Sequence, residues 1–578
     1  MGWILGILGS CSDHKLQKLK SIHPTSLHFF ISDKIYIAAG GIPETCLSSK
    51  STDSSPGWLA CGVGIKYENG NASLMKENDW NSELIKKDFS QYNLNGHFAA
   101  VRWNNNKLEL FTDQLGVRNI YLTKLNDCIV FSTRLDWISK LNRNISIDWE
   151  ELGARWFLVN QLSDKSILKN VERINQGGKA VFNLNPFSVE VINKPWHPGF
   201  VPSHNDKDLK STLSDFTLCG LKSDRKLSLA LSGGLDSRIL LAILMSSQSN
   251  SWSLHSLNSR EDPDRKIAEQ ISKKLSIDHF FWEYSLAPID KIINPLKDFI
   301  GQTMLTVPAS AFLNVQFYPM LYNQNKIVID GSWGEIARRR LFVGLKLRGG
   351  KAIYNNDYTG LIPFLQSGRP TFFANDYYHF MQGTLEKHIE NFCISMPSPK
   401  DFGIDNWIDL FALRTRLPNA SAPEQVRSDS EFINYMPFIQ PYFLKKVFET
   451  PVEERKNSKI FHKIIDDNSP KLKHFPLVKD GIIYPFRLGT VPASIYMKIK
   501  RKLGFVYHDK MVENFLNHLS DFIQDTIRST DVRSSGFYDY KRITEITDGY
   551  FLKKDMNYAR DLNWWLSFEI WRKTITNE

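Results

Sequence analysis

Six consecutive residues, Ser232-Gly233-Gly234-Leu235-Asp236-Ser237, join two apolar runs in the stretch LSLALSGGLDSRILLAIL. Two glycines let a backbone turn tightly and present its N–H groups, and the serines add hydroxyls. A helix beginning just beyond favours an anion through its free N–H groups and its dipole. The chemistry is that of a phosphate cradle. It is not of the Walker type, whose GxxxxGK[ST] spacing is missing. Asp236 would repel phosphate unless a divalent cation lay between them, so the loop implies magnesium with Asp236 as its ligand. The same letters also suit a plain glycine turn at a helix start.

The flanking elements read as a cradle needs them. Residues 227–231 form a buried strand, 238–246 a helix, 252–257 a second strand and 264–275 an amphipathic helix. Short apolar strands separated by helices predict a parallel α/β sheet with right-handed crossovers. The first third differs: WILGIL, KIYIAAGG, GWLACGVGIKY, HFAAVRW, KLELFTD, CIVFSTR and KAVFNL are short apolar or alternating runs broken by Gly, Asn, Asp and Pro. They predict a strand-rich domain. Residues 185–205 are dense in Pro, Asn and His and read as a linker, so the expected domains are 1–196 and 197–578. From about residue 350 the chain reads as mostly helical, closing on WWLSFEIWRK, and no repeat or low-complexity segment interrupts it.

Composition bounds the function. A chain of 578 residues with 42% hydrophobic and 23% charged residues is globular and enzyme-sized, which excludes a disulfide-stapled miniprotein and a disordered or fibrous chain. Lys and Arg number 72 against 62 Asp and Glu, a net charge of +10, which suits either an anionic partner or a solvated surface. No aromatic-interleaved basic tract or nucleic-acid motif is found, so no nucleic-acid partner is expected. The six cysteines, Cys11, Cys46, Cys61, Cys128, Cys219 and Cys393, show no zinc spacing and read as reduced, mostly buried thiols. The first residues, MGWILGILGS, lack a basic n-region, and no stretch approaches about 18 uninterrupted apolar residues. A cytoplasmic location without a membrane partner is expected, and the oligomeric state is not legible.

The SGGLDS segment resembles the pyrophosphatase loop of the asparagine synthetase family, which binds ATP and releases pyrophosphate while adenylating a carboxylate. LHSLNSREDPDRKIAEQISKKLSIDHFFWE is similar to the family's strand, acidic turn and helix, where backbone near Leu257 would hold adenine. VPASAFLNVQFYPMLYNQNKIVIDGSWGEI is similar to the segment ending at the second pyrophosphate loop, and NYARDLNWWLSFEIWRK to the last helix. The resemblance implies an α/β fold: an N-terminal Ntn-hydrolase-like α-β-β-α sandwich, then a C-terminal parallel-sheet synthetase domain of the adenine-nucleotide α-hydrolase-like (PP-loop) type with a helical C-terminal region. It implies ATP and Mg2+ as cofactors, phosphate contacts from Ser232, Gly233, Gly234, Ser237 and Gly331, and charge stabilisation by Lys459. Lys459 equally suits a surface position in a Lys-rich helix, with Lys456 and Lys463 beside it. The second loop departs from the family's SGEGSDE: here it is Asp330-Gly331-Ser332-Trp333-Gly334-Glu335, one residue shorter, with Glu335 or Asp330 left for the missing acidic role. Arg338, Arg339 and Arg340 suit either phosphate contacts or a solvated helix face.

The first domain resembles the family's glutaminase through Asn95-Gly96-His97-Phe98-Ala99 and LELFTDQLGVRNIYLTKLNDCIVFSTRLDWI. That reaction needs a cysteine exposed as the first residue, because its own α-amine serves as base. Position 2 is Gly2, and Cys11 would need cleavage after Ser10 in a context unlike the family's start. A dead glutaminase behind an intact loop resembles β-lactam synthetases and lasso-peptide cyclases. The expected function is glutamine-independent amide-bond formation by adenylating a carboxylate for attack by an amine, with lactam or macrolactam formation on a peptide or natural product among its forms. Expected partners are a carboxylate substrate and an amine, including an acidic or precursor peptide. The alternatives are an asparagine-forming enzyme fed by free ammonia and a catalytically inactive binding protein.

Overall fold

Every strand of the first third pairs antiparallel, as its short alternating runs and tight turns require. The computed structural model describes all residues except 1, 10–12, 24–26, 33–34, 50–55, 126–127, 143, 159–160, 202–207, 258 and 577–578; Cys11 lies outside the described residues. One six-stranded sheet runs Val171–Ile174, Ile120–Leu125, Cys128–Ser132, Trp3–Gly9, Ile35–Gly40, Leu27–Ser32. The other is seven-stranded, with Asn95–Asn104 and Gly57–Glu68 at its centre.

Side-chain alternation explains how the sheets stack. On Trp3–Gly9, Ile4 and Leu8 face Leu59, Cys61, Val101 and Leu110 of the second sheet, while Trp3, Leu5 and Ile7 face the opposite way, toward Leu19 and Trp137. On the second sheet Trp58, Ala60 and Phe98 pack on Trp80 and Leu84 of the helix Glu77–Leu84. The result is helix, sheet, sheet, helix, with both sheets apolar on both faces because each is covered twice.

The second half is built on a five-stranded, wholly parallel sheet in the order His279–Phe281, Trp252–Ser256, Lys226–Ala230, Lys326–Ile329, Ile433–Tyr435. Strand order reverses between Lys226–Ala230 and Lys326–Ile329, and the crevice beyond the carboxyl ends at such a reversal is where open α/β sheets bind ligands. The loops at 231–234 and 330–334 both leave the sheet there. Two strand features depart from the helical reading of the C-terminal part: Ile433–Tyr435 supplies the fifth strand, and Leu477–Lys479 pairs with Ile482–Tyr484 as a hairpin. The rest is helical, and the last helix, Ala559–Thr576, buries Leu562, Trp565, Phe568 and Trp571 against Ile289–Thr303 and the N-terminal helix Leu135–Leu141.

Candidate functional site

Helix formation sets the first loop. The helix Leu235–Ser246 begins earlier than its apolar run suggests, which places Asp236 and Ser237 in its first turn behind the N-cap Gly234, and no side chain caps that turn. Ser237 Oγ accepts from the Ser232 N–H at 3.2 Å, Ser232 Oγ accepts from the Gly234 N–H at 3.1 Å, and Asp264 Oδ1 accepts from the Gly233 N–H at 2.8 Å. Buried Arg238 donates to the Gly233, Phe475 and Pro476 carbonyls, tying the loop to the segment that leads into the hairpin. The serines thus hold the loop's shape, while the uncapped helix start faces a cavity of about 780 Å³.

Both loops line that cavity, with Ser232, Gly234, Asp236 and Ser237 on one side and Gly331 and Glu335 on the other. The approach is close: a Cβ on Gly334 would stand 2.5 Å from Asp236 Cγ, so any side chain there displaces the carboxylate. Trp333 adopts φ 72°, a left-handed conformation costly for a bulky residue, and is fixed by its Nε1 donating to Ser421 Oγ at 2.7 Å. Burial raises the Asp330 carboxyl above its ordinary value, and Ser332 donates to it through both N–H and hydroxyl.

Asp236 meets a guanidinium. Arg338 Nε and Nη2 donate to its two carboxylate oxygens, each at 2.7 Å. Burial raises the Asp236 carboxyl above its ordinary value against the opposing pull of Arg338, whose fork geometry is that of an ion pair. Glu335 stands 4.0 Å from Arg338 and is partly exposed. Among the described residues no three His, Cys, Asp or Glu side chains gather to hold a metal. With both Asp236 oxygens taken, the residues as arranged do not fit a resident magnesium site: the charge expected of the metal comes from Arg338.

Of the arginine run, Arg338 and Arg340 line the cavity, whereas buried Arg339 is bound to Asp405 and Asp409 beside Arg455. Lys459 opens the helix Lys459–Asn468 but is exposed and is not on the cavity wall, although its neighbours Ser458 and His462 are. Leu257 follows Trp252–Ser256 and packs toward Trp282 and Phe317, also off the wall. The lysine on the wall is Lys479, at the end of the hairpin strand Leu477–Lys479, its ammonium pushed below the ordinary value by desolvation and by Arg340. His462, missed with it, is held below the ordinary histidine value by burial. A sequence signal existed for Lys479: Asp480-Gly481, flanked by apolar residues, is the two-residue hairpin pattern, and both residues take positive φ, 50° and 71°.

Gly2, just before the strand Trp3–Gly9, is enclosed. Its N–H donates to the Asp429 carbonyl at 3.3 Å, Arg118 donates to its carbonyl at 2.9 Å, and a Cβ would lie 2.8 Å from the Thr45 carbonyl oxygen. Buried His97, Arg118, Gln425 and Asp429 fill the adjoining space with an ion-paired network.

Fold and site define an α/β protein whose parallel sheet sets two close loops and a wall of mixed charge around one cavity. Residues 208–316, which hold the first loop, match the family model described as asparagine synthase. Over 178 residues the chain is 24% identical to "Asparagine synthetase [glutamine-hydrolyzing] 1" of Bacillus subtilis (strain 168), an overlap of 28% of each chain, so it spans little more than a quarter of that relative's length. These likenesses make the segment asparagine synthetase-like. Looser overlaps join it to two solved structures. The allosteric regulatory enzyme of purine biosynthesis is 8% identical at TM-score 0.22, over 49% of this chain and 80% of that one. Glutamine phosphoribosylpyrophosphate amidotransferase from B. subtilis, complexed with ADP and GMP, is 9% identical at TM-score 0.20, over 57% and 81%.

Proposed function

We propose that the protein is a cytoplasmic, ATP-dependent amide-forming ligase that works without glutamine, with an N-terminal Ntn-type domain over 1–196 retained as a support and a PP-loop-type synthetase domain over 197–578. The observation that carries this reading is the convergence of the two loops at the sheet's strand-order reversal, on a cavity walled by Arg338, Arg340 and Lys479. A carboxylate oxygen attacks the α-phosphorus of ATP, the bond to the β-phosphate oxygen breaks, and pyrophosphate leaves. The uncapped first turn of Leu235–Ser246 and the serine hydroxyls receive the phosphates, and Arg340 and Lys479 oppose the charge that grows on the pyrophosphate. An amine nitrogen then attacks the acyl carbon, AMP departs, and neutral His462 is placed to take the amine proton. Magnesium, on this reading, enters on the ATP phosphates rather than in a protein site.

The enclosed Gly2 supports a nitrogen source other than glutamine: an amine on the substrate, as in lactam formation on a peptide or natural product, or free ammonia. One observation favours a binding protein without turnover, namely that Arg338 already neutralises Asp236. Exchange of labelled pyrophosphate into ATP, over a panel of aspartate, glutamate and acidic peptides without glutamine, separates the readings. Exchange with one carboxylate class, strongly lowered in Lys479→Met, is expected. Glutamate release from glutamine would overturn the nitrogen source, and ATP binding with no exchange would leave the binding protein.

A further inference from the structure

The helix Thr490–Lys502 has an unusual outer face. Its inner side is buried through Ala493 and Met497, which pack with Ile482 of the hairpin and also line the cavity. Facing outward at four-residue spacing are Ile495, 56% exposed, Ile499, 54%, and Leu503, 64%, with Phe505 61% exposed just beyond the helix. At 100° per residue these three aliphatic side chains form one continuous stripe. Lys498 and Lys502 project along one edge of the stripe, and Lys500 along the other, its ammonium 4.5 Å above the Phe505 ring. Residues 487–510 hold six Lys and Arg against one acid, Asp509. Across that surface, Asp480 pairs with Arg501 at 3.6 Å.

We infer that this helix and the turn through Phe505 dock on the surface of an anionic lipid bilayer. Aliphatic side chains flanked on both edges by long lysines, which can lay their stems along the apolar stripe and reach back to phosphates, are the pattern of a helix lying in a bilayer interface. The excess of cations complements an anionic surface. A soluble acidic peptide fits less well: the stripe protrudes with more than half of each side chain exposed, and the large cavity lies on the helix's other face. The sequence expectation of no membrane partner rested on the lack of a spanning segment. Among the described residues no helix is long and apolar enough to cross a membrane, but surface docking needs none.

The docking stands apart from the catalytic reading, and its test reads binding alone. The full chain is sedimented with vesicles of phosphatidylcholine, with and without phosphatidylglycerol. Sedimentation with phosphatidylglycerol vesicles, weakened by salt and absent on phosphatidylcholine, is expected. The double variant Ile499→Asp/Leu503→Asp should partition roughly tenfold less while melting at the wild-type temperature, and Lys498→Glu/Lys502→Glu, which leaves the stripe intact, should also bind less. Wild-type protein left in the supernatant overturns the proposal, as does wild-type-like sedimentation of the aspartate variant. So does release by soluble polyglutamate that is as effective for the aspartate variant as for wild type.

Discussion

At Asp236 the decisive contact is the two-pronged bond from Arg338, because it converts a carboxylate that would repel phosphate into half of a neutral pair on the cavity wall. The cations left on the wall to face phosphate are Arg340, Arg416 and Lys479. Lys479 is exposed on the wall, where desolvation and Arg340 lower its ammonium, and a cation there opposes the charge that grows on the pyrophosphate. Lys479→Met should therefore lower pyrophosphate exchange on the order of 100-fold. Lys459→Met, removing an exposed ammonium outside the wall, should leave exchange near wild type. The reverse ranking would reinstate Lys459 and remove the hairpin from the mechanism. The outcome turns on three-dimensional placement, since both lysines sit in similar Lys-rich text.

At the scale of elements, what was legible follows from how local each signal is. The strand, glycine turn and helix around Asp236 could be read because an apolar run, two glycines and a second apolar run are adjacent in the chain. The alternating strands of the first third were legible for the same reason, as Ile4 and Leu5 facing opposite layers shows. The three-residue strand Ile433–Tyr435 was not: it is buried on every side inside helical text, and three residues carry no period. Arg338 paired with Asp236 was equally hidden, since 102 residues separate the partners and three adjacent arginines give no reason to single out one. A cross-strand cluster in the second sheet offers a test of pairing at this scale. Glu109 lies opposite Arg102 in the register and also bonds Lys179 and Lys107. Burial pushes its carboxyl up, but these cations outweigh burial and hold it at about 2, against an ordinary 4.5. A depressed folded value means stabilisation that is full above the unfolded value and fades as pH falls toward the folded one. Its upper size is about 3 kcal/mol. Urea midpoints should show Glu109→Gln well below wild type at pH 7, with the gap shrinking steadily between pH 5 and pH 3. A gap independent of pH would mean that shape, not charge, makes the cluster matter.

For the molecule as a whole, the two halves meet around Gly2, whose N–H donates to the Asp429 carbonyl. Arg118 and His97, from the first half, both bond the Asp429 carboxylate of the helix Ala422–Glu431, and Gln425 adds a third donor at 3.1 Å. Burial works to raise the Asp429 carboxyl, yet Arg118 and His97 hold it below the usual carboxylate range. Beside it Gly96 donates to Gln440 at 2.7 Å and Tyr442 donates to Asn95 at 3.0 Å, so the Asn95-Gly96-His97 segment bonds across the interface. Breaking one member of a buried pair strands the other's charge, a cost of about 3–5 kcal/mol, whereas replacing both with apolar groups costs far less. Asp429→Leu and Arg118→Met should each lower the melting temperature sharply, and the double variant should recover part of that loss through a favourable coupling. Gly2→Cys should neither release glutamate from glutamine nor preserve stability, because its Cβ would press on the Thr45 carbonyl. Additive losses in the Arg118 and Asp429 variants, or a stable Gly2→Cys protein that hydrolyses glutamine, would show that the halves are joined elsewhere and that the N-terminal site is open.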